Sequence, residues 1–230
     1  MEIPMKSIVD LSGTIENSMW SYNVLPGLEE IIPKVEVETI ATVDKNGFFS
    51  SKLTLSTVSG TYLETGSHIL ENKKTLDEYP LKRFIRPATV VKLPPQKQKA
   101  LIDANLLIKH ASKVEKGDAL IIDTGWGRMW NRSGYVLSCP NYLPDALKWV
   151  LDQEISIFGV DVPCIEASWS EDDEGERGSL LAELFMSDVL LLAPLVNLEK
   201  LNANRGKLIC LPLSVKGVSG APVRAIFVEE

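Results

Sequence analysis

Apolar and polar residues alternate along Val35-Glu36-Val37-Glu38-Thr39-Ile40-Ala41-Thr42-Val43, the period-two pattern of a half-buried strand. Asp44-Lys45-Asn46-Gly47 supplies a hairpin turn, and Phe48 to Thr57 returns as the partner strand with Leu53 and Leu55 on one face. Ala119 to Thr124 and Ile155 to Asp161 are apolar enough to be strands covered on both faces. Thr89 to Leu93 predicts another strand, preceded by a break at Arg86-Pro87-Ala88 and ended by Pro94-Pro95. Leu101, Ala104, Leu107 and Ile108 lie at helical spacing and predict a helix over Gln98 to His110. A second helix, Pro144 to Gln153, has proline in its first turn, and Ser179 to Met186 predicts a third. Ile8 to Ser12, Val189 to Leu192, Leu208 to Leu213 and the segment after Gly217 complete the strands. A helix between two apolar strands implies a right-handed crossover and a partly parallel sheet. The expectation is one α/β domain over residues 1–230, a mixed sheet with helices packed against it.

Composition narrows the class. With 45% hydrophobic residues in 230, the chain can bury a core. Its formal net charge of −7 and lack of a Lys/Arg run argue against nucleic-acid and membrane partners. Met1 to Lys6 has no basic flank or apolar core of a signal peptide, so a cytoplasmic protein is expected. Cys139, Cys164 and Cys210 are widely spaced, without a C-x-x-C pair, and are expected to be buried thiols. Cys164 is the most site-like of them because it follows a strand end. Glu171 to Gly178 reads as a solvated acidic loop without calcium-loop spacing.

The candidate chemistry concentrates in Thr57 to His68, which holds Thr61, Tyr62, Glu64 and one of the two histidines. The other, His110, falls at a predicted helix C-terminus, where the helix dipole favours it structurally. Trp20 and Tyr22 sit in a polar loop closed by Pro26-Gly27 and are either lids for a ligand or caps on the core. Phosphate-loop, dinucleotide and Gly-x-Ser-x-Gly patterns are missing.

Several short landmarks occur in a family order: Val9-Asp10-Leu11-Ser12, Gly60-Thr61, Gly117-Asp118-Ala119-Leu120 with Thr124-Gly125-Trp126, Phe158-Gly159-Val160-Asp161, Asn197-Leu198 and Gly220-Ala221-Pro222-Val223-Arg224-Ala225. On these the chain resembles the cyclase family of hydrolases, which includes the bacterial metal-dependent arylformamidase that cleaves N-formylkynurenine. The resemblance implies a swivelling β/β/α-type fold, homodimers or homotetramers, and a zinc or manganese site that activates water.

The family signature is His-x-Gly-Thr-His-x-Asp-x-Pro-x-His. With Gly60-Thr61 fixing the register, Val58 and Tyr62 stand at the first two histidines, Glu64 at the aspartate and Gly66 at the proline; His68 alone keeps its identity. The family's later histidine and glutamate ligands fall near Leu181 and Ala193. One carboxylate does not hold a catalytic zinc, so no metal or other cofactor is expected. By the resemblance His68 is the proton donor and acceptor, and Trp20 packs on the substrate ring, with Tyr22 and Thr61 beside it. Glu64 would orient His68 and Tyr62 would donate to an oxyanion. The expected function is action on, or binding of, a small formamide- or lactam-like carbonyl compound. The alternatives are a non-catalytic small-molecule-binding paralogue and a metal-independent lyase or isomerase using His68 and Glu64.

Overall fold

A computed structural model describes residues 7–166 and 179–229; the N-terminal hexapeptide and the acidic Glu171 to Gly178 segment lie outside the described residues. The strands are β1 (Ile8–Asp10), β2 (Glu36–Ala41), β3 (Ser50–Thr54), β4 (Tyr62–Glu64), β5 (Ile85–Lys92), β6 (Leu101–Ile102), β7 (Ala119–Asp123), β8 (Asn141–Tyr142), β9 (Ile157–Val160), β10 (Leu190–Ala193), β11 (Arg205–Pro212) and β12 (Gly220–Glu229). The helices are α1 (Val43–Asn46), α2 (Ala104–His110), α3 (Pro144–Asp152) and α4 (Ser179–Met186).

Eight strands form one mixed sheet in the order β1-β12-β11-β5-β7-β9-β10-β4, and a further β12–β4 pairing closes it on itself. The run β5-β7-β9-β10 is parallel, as the helix between apolar strands implied. The remaining pairs are antiparallel. Alternation along the strands divides the core in two. Leu120, Ile122, Phe158, Val160 and Leu191 pack toward Leu107 of α2, Ala146, Leu147 and Val150 of α3, and Leu184 of α4. Ala119, Ile121, Leu63, Leu192, Leu208 and Phe227 fill the inside of the closed sheet. With both faces covered, β7 and β9 read as unbroken apolar runs.

Several elements differ from the sequence expectation, which did not include β4 or β8 as strands. The helix expected over Gln98 to His110 begins only at Ala104, because Leu101-Ile102 pair in parallel with Asn141-Tyr142. Asp103 caps the shortened helix, accepting the Leu106 N–H at 2.8 Å. The strand expected from Thr89 starts at Ile85 and runs through Pro87. Proline is tolerated there because β7 pairs with β5 only from Ala88 onward, so one side of the strand is still an edge at Pro87.

The β2–β3 hairpin forms, but it is not half buried: Leu53 is 58% exposed, and Ile40, Val43, Phe48 and Phe49 are exposed with it. Its turn is the single helical turn α1, closed by Gly47 in the left-handed region at φ 78°. Among the described residues, no helix is long and apolar enough to cross a membrane.

Candidate functional site

Strand alternation builds the site first. Along β4, Leu63 enters the inside of the closed sheet while Tyr62 belongs to the helix-facing core. Glu64, two residues on, returns to the Tyr62 side. Gly60, at φ 70°, makes the turn into this strand. Thr61 fixes it from the side: its hydroxyl donates to the Pro194 carbonyl at 2.7 Å and accepts the Gly13 N–H at 3.0 Å. Thr61 is thus a positioning residue in this arrangement.

After β4 the chain makes a single 3-10 turn over Gly66–His68, which brings His68 Nδ1 to 3.2 Å from Glu64 Oε1. Both side chains line a pocket of about 170 Å³. Its walls are Leu25, Leu28, Ile32, Val58, Ile165, Leu181 and Leu191, with Tyr22, Tyr62, Pro163 and Cys164 completing it. Burial raises the Glu64 carboxyl to about 8 and lowers the His68 imidazole below its usual value. The contact near neutral pH is therefore an uncharged acid–imidazole hydrogen bond, not an ion pair.

The two phenols form a directed chain. Tyr22 donates its proton to the Pro163 carbonyl, which can only accept, so the 2.8 Å bond between the hydroxyls of Tyr22 and Tyr62 is donated by Tyr62. Burial raises both phenols well above their ordinary value, so they stay protonated. The Tyr62 proton is committed to Tyr22, which leaves its oxygen as an acceptor and Glu64 as the acidic donor of the pocket.

Trp20 does not line this pocket. It stands behind Tyr22 in an aromatic cluster, 5.4 Å from Tyr22, 5.3 Å from Trp130 and 5.3 Å from Tyr135 between ring centroids. Cys164 is on the pocket wall, while Cys139 and Cys210 are buried away from it. The Pro163 carbonyl that orders the phenols had no sequence signal, since every residue carries the same backbone oxygen.

The positions corresponding to the family's metal ligands converge. Val58, Tyr62, Glu64 and Leu181 share the pocket, and Ala193 lies directly across the sheet from Tyr62. Their side chains do not fit a catalytic divalent ion, which takes about three imidazole, thiolate or carboxylate ligands. One carboxyl group is present among them, it is engaged with His68, and burial favours its neutral form. Among the described residues, no group of three or more His, Cys, Asp or Glu is placed to hold a metal ion.

The landmark residues outside the pocket bind the chain to itself. Asp161 accepts the Thr124 hydroxyl at 2.6 Å and the N–H groups of Thr124 and Gly127. Asn197 donates to the Asp10 carbonyl at 2.8 Å, and Asp10 pairs with Arg224 at 2.6 Å.

Comparison with known proteins identifies the family and the fold. The family model for cyclases matches residues 9–167. An isatin hydrolase of Roseibium aggregatum is 25% identical, the match covering 95% of this chain and 90% of the relative. A kynurenine formamidase of Salinibacter ruber is 27% identical over 80% of this chain and 81% of its own. Among solved structures, isatin hydrolase A from Ralstonia solanacearum superposes with a TM-score of 0.83 at 18% identity, covering 97% of this chain and 92% of that one. The family match spans more than half of the residues, the fold is shared, and this chain belongs to the cyclase family.

Proposed function

We propose that the chain binds a small amide or lactam-like carbonyl compound in the Glu64–His68 pocket and acts on it without a metal ion. The observation that carries this reading is the 3.2 Å contact between Glu64 and His68 in an otherwise apolar and phenolic pocket. Protonated Glu64 can donate to a carbonyl oxygen while the Tyr62 oxygen accepts an adjacent N–H, a pairing that suits a secondary amide. His68, neutral and partly exposed, is placed to take a proton from an attacking water. The pocket is smaller than the roughly 300–1,000 Å³ of drug-sized ligand sites, which favours a single small ring system.

Isatin and N-formylkynurenine are the probes, assayed near pH 7 with and without a chelator. The expected result is turnover indifferent to chelation that falls by roughly 100-fold in His68→Ala. Turnover only after zinc or manganese is added overturns the metal-free reading. Saturable binding without turnover identifies the non-catalytic paralogue instead.

Self-association is proposed through the β2–β3 hairpin, since a two-stranded ribbon exposing Phe48, Phe49 and Leu53 needs a partner surface to be stable. A second copy of this chain is the occupant. Light scattering is expected to show an oligomer that becomes monomeric in the Phe48→Ser, Phe49→Ser double variant; an unchanged mass assigns the contact elsewhere.

A further inference from the structure

A second concavity, of about 410 Å³, shares no lining residue with the Glu64 pocket. It is bounded by Ser12 to Glu16 after β1, by Gly127 to Trp130 after β7 and by Val196 to Glu199 after β10. It therefore lies beyond the carboxyl ends of the parallel strands β7 and β10.

We propose that this cleft binds a free amino acid as its zwitterion. Arg128, Glu16 and Glu199 all line it. Arg128 and Glu199 are close enough to Asp123 to act on its carboxyl, yet neither makes an ion pair or side-chain hydrogen bond with any described residue. Glu16 is held by the Asn131 side-chain amide. Arg128 and the two glutamates thus line one cavity without a direct ion pair between them. A simple anion meets two carboxylates there and a simple cation meets Arg128, whereas a ligand with both charges answers both.

Trp130 supplies the apolar wall for the ligand's side chain and a face on which an ammonium group is attracted. Its ring packs directly on Gly13, where a Cβ would lie 2.2 Å away, so only glycine lets the ring sit there. The ring also packs edge-on against Trp20 and at a tilt against Tyr135, so the wall is in place without a ligand.

Calorimetric titration of the full chain with L-phenylalanine, L-serine and L-glutamate tests the site, beside L-phenylalaninamide and N-acetyl-L-phenylalanine. Saturable binding of at least one free amino acid is expected, with both blocked phenylalanines weaker than phenylalanine by about tenfold. Arg128→Gln should abolish discrimination against the amide, and Glu199→Gln discrimination against the N-acetyl compound. The Glu64→Gln variant should bind as the parent does. No saturable binding of any of the three, equal binding of the blocked compounds, or an isotherm unchanged in both cleft variants overturns the proposal. Circular dichroism of the two variants confirms that a loss is not unfolding.

Discussion

Unfolding free energy is expected to fall by roughly 2 kcal/mol as the pH rises from 6.5 to about 9, and Glu64→Gln to remove most of that fall. Burial raises the Glu64 carboxyl from 4.5 to about 8 in the folded chain. Between those values the folded state holds a proton that the unfolded state has released, so stability is complete below pH 4.5 and is lost as the pH climbs through 8. His68 acts with the opposite sign: burial lowers its imidazole, so its contribution is lost as the pH falls below 6.5. The window above 6.5 therefore isolates Glu64 from its partner. Glutamine copies the neutral acid, since its amide oxygen can accept the His68 Nδ1–H as the acid's carbonyl oxygen does, while its nitrogen donates in place of the acid hydroxyl. Urea denaturation of both proteins across this window is the measurement. A parent slope equal to that of Glu64→Gln contradicts the neutral-acid assignment.

The second large effect is at Asp161. Asp161→Ala is expected to lower stability at pH 7.5 by roughly 3–5 kcal/mol, because it strands three buried donors at once. These are the Thr124 hydroxyl, the Thr124 N–H and the Gly127 N–H. Asp161→Asn should fare little better, since its amide nitrogen would face donors rather than acceptors. The aspartate itself is held against burial, which with the Asp123 charge raises its carboxyl to about 6 despite these bonds. A shift below about 1 kcal/mol in chemical denaturation would show that water replaces the carboxylate there.

These two acids show what a linear reading distinguishes poorly. Asp161 and Glu64 both belong to family landmarks, yet one ties the turn after β7 to the end of β9 and the other faces a pocket. The elements themselves were mostly legible, because period-two and unbroken apolar runs follow from covering one or both faces of a strand. The exceptions have separate causes. Leu101-Ile102 carry helical spacing but are drawn into a parallel bridge with Asn141-Tyr142, forty residues away in sequence. The hairpin's alternation reports an apolar face, but not whether the same chain covers it; here its apolar residues remain exposed. Trp20 was matched to substrate contact by motif position, and in the structure it lies one ring behind the pocket wall.

Within Thr57 to His68, the sequence by itself determined that a phenol, a carboxyl group and an imidazole lie close together along the chain, and that imidazoles are missing from the family's ligand positions. Tertiary structure alone decided what those residues are chemically. Leu25, Leu28, Ile32, Ile165, Leu181 and Leu191 come from four separate stretches of chain to exclude water from Glu64. The Pro163 carbonyl, nearly a hundred residues downstream, sets which phenol donates to which. Desolvation and hydrogen-bond direction are properties of the enclosure, so the protonation state of the site is set by distant segments and not by the motif that carries it.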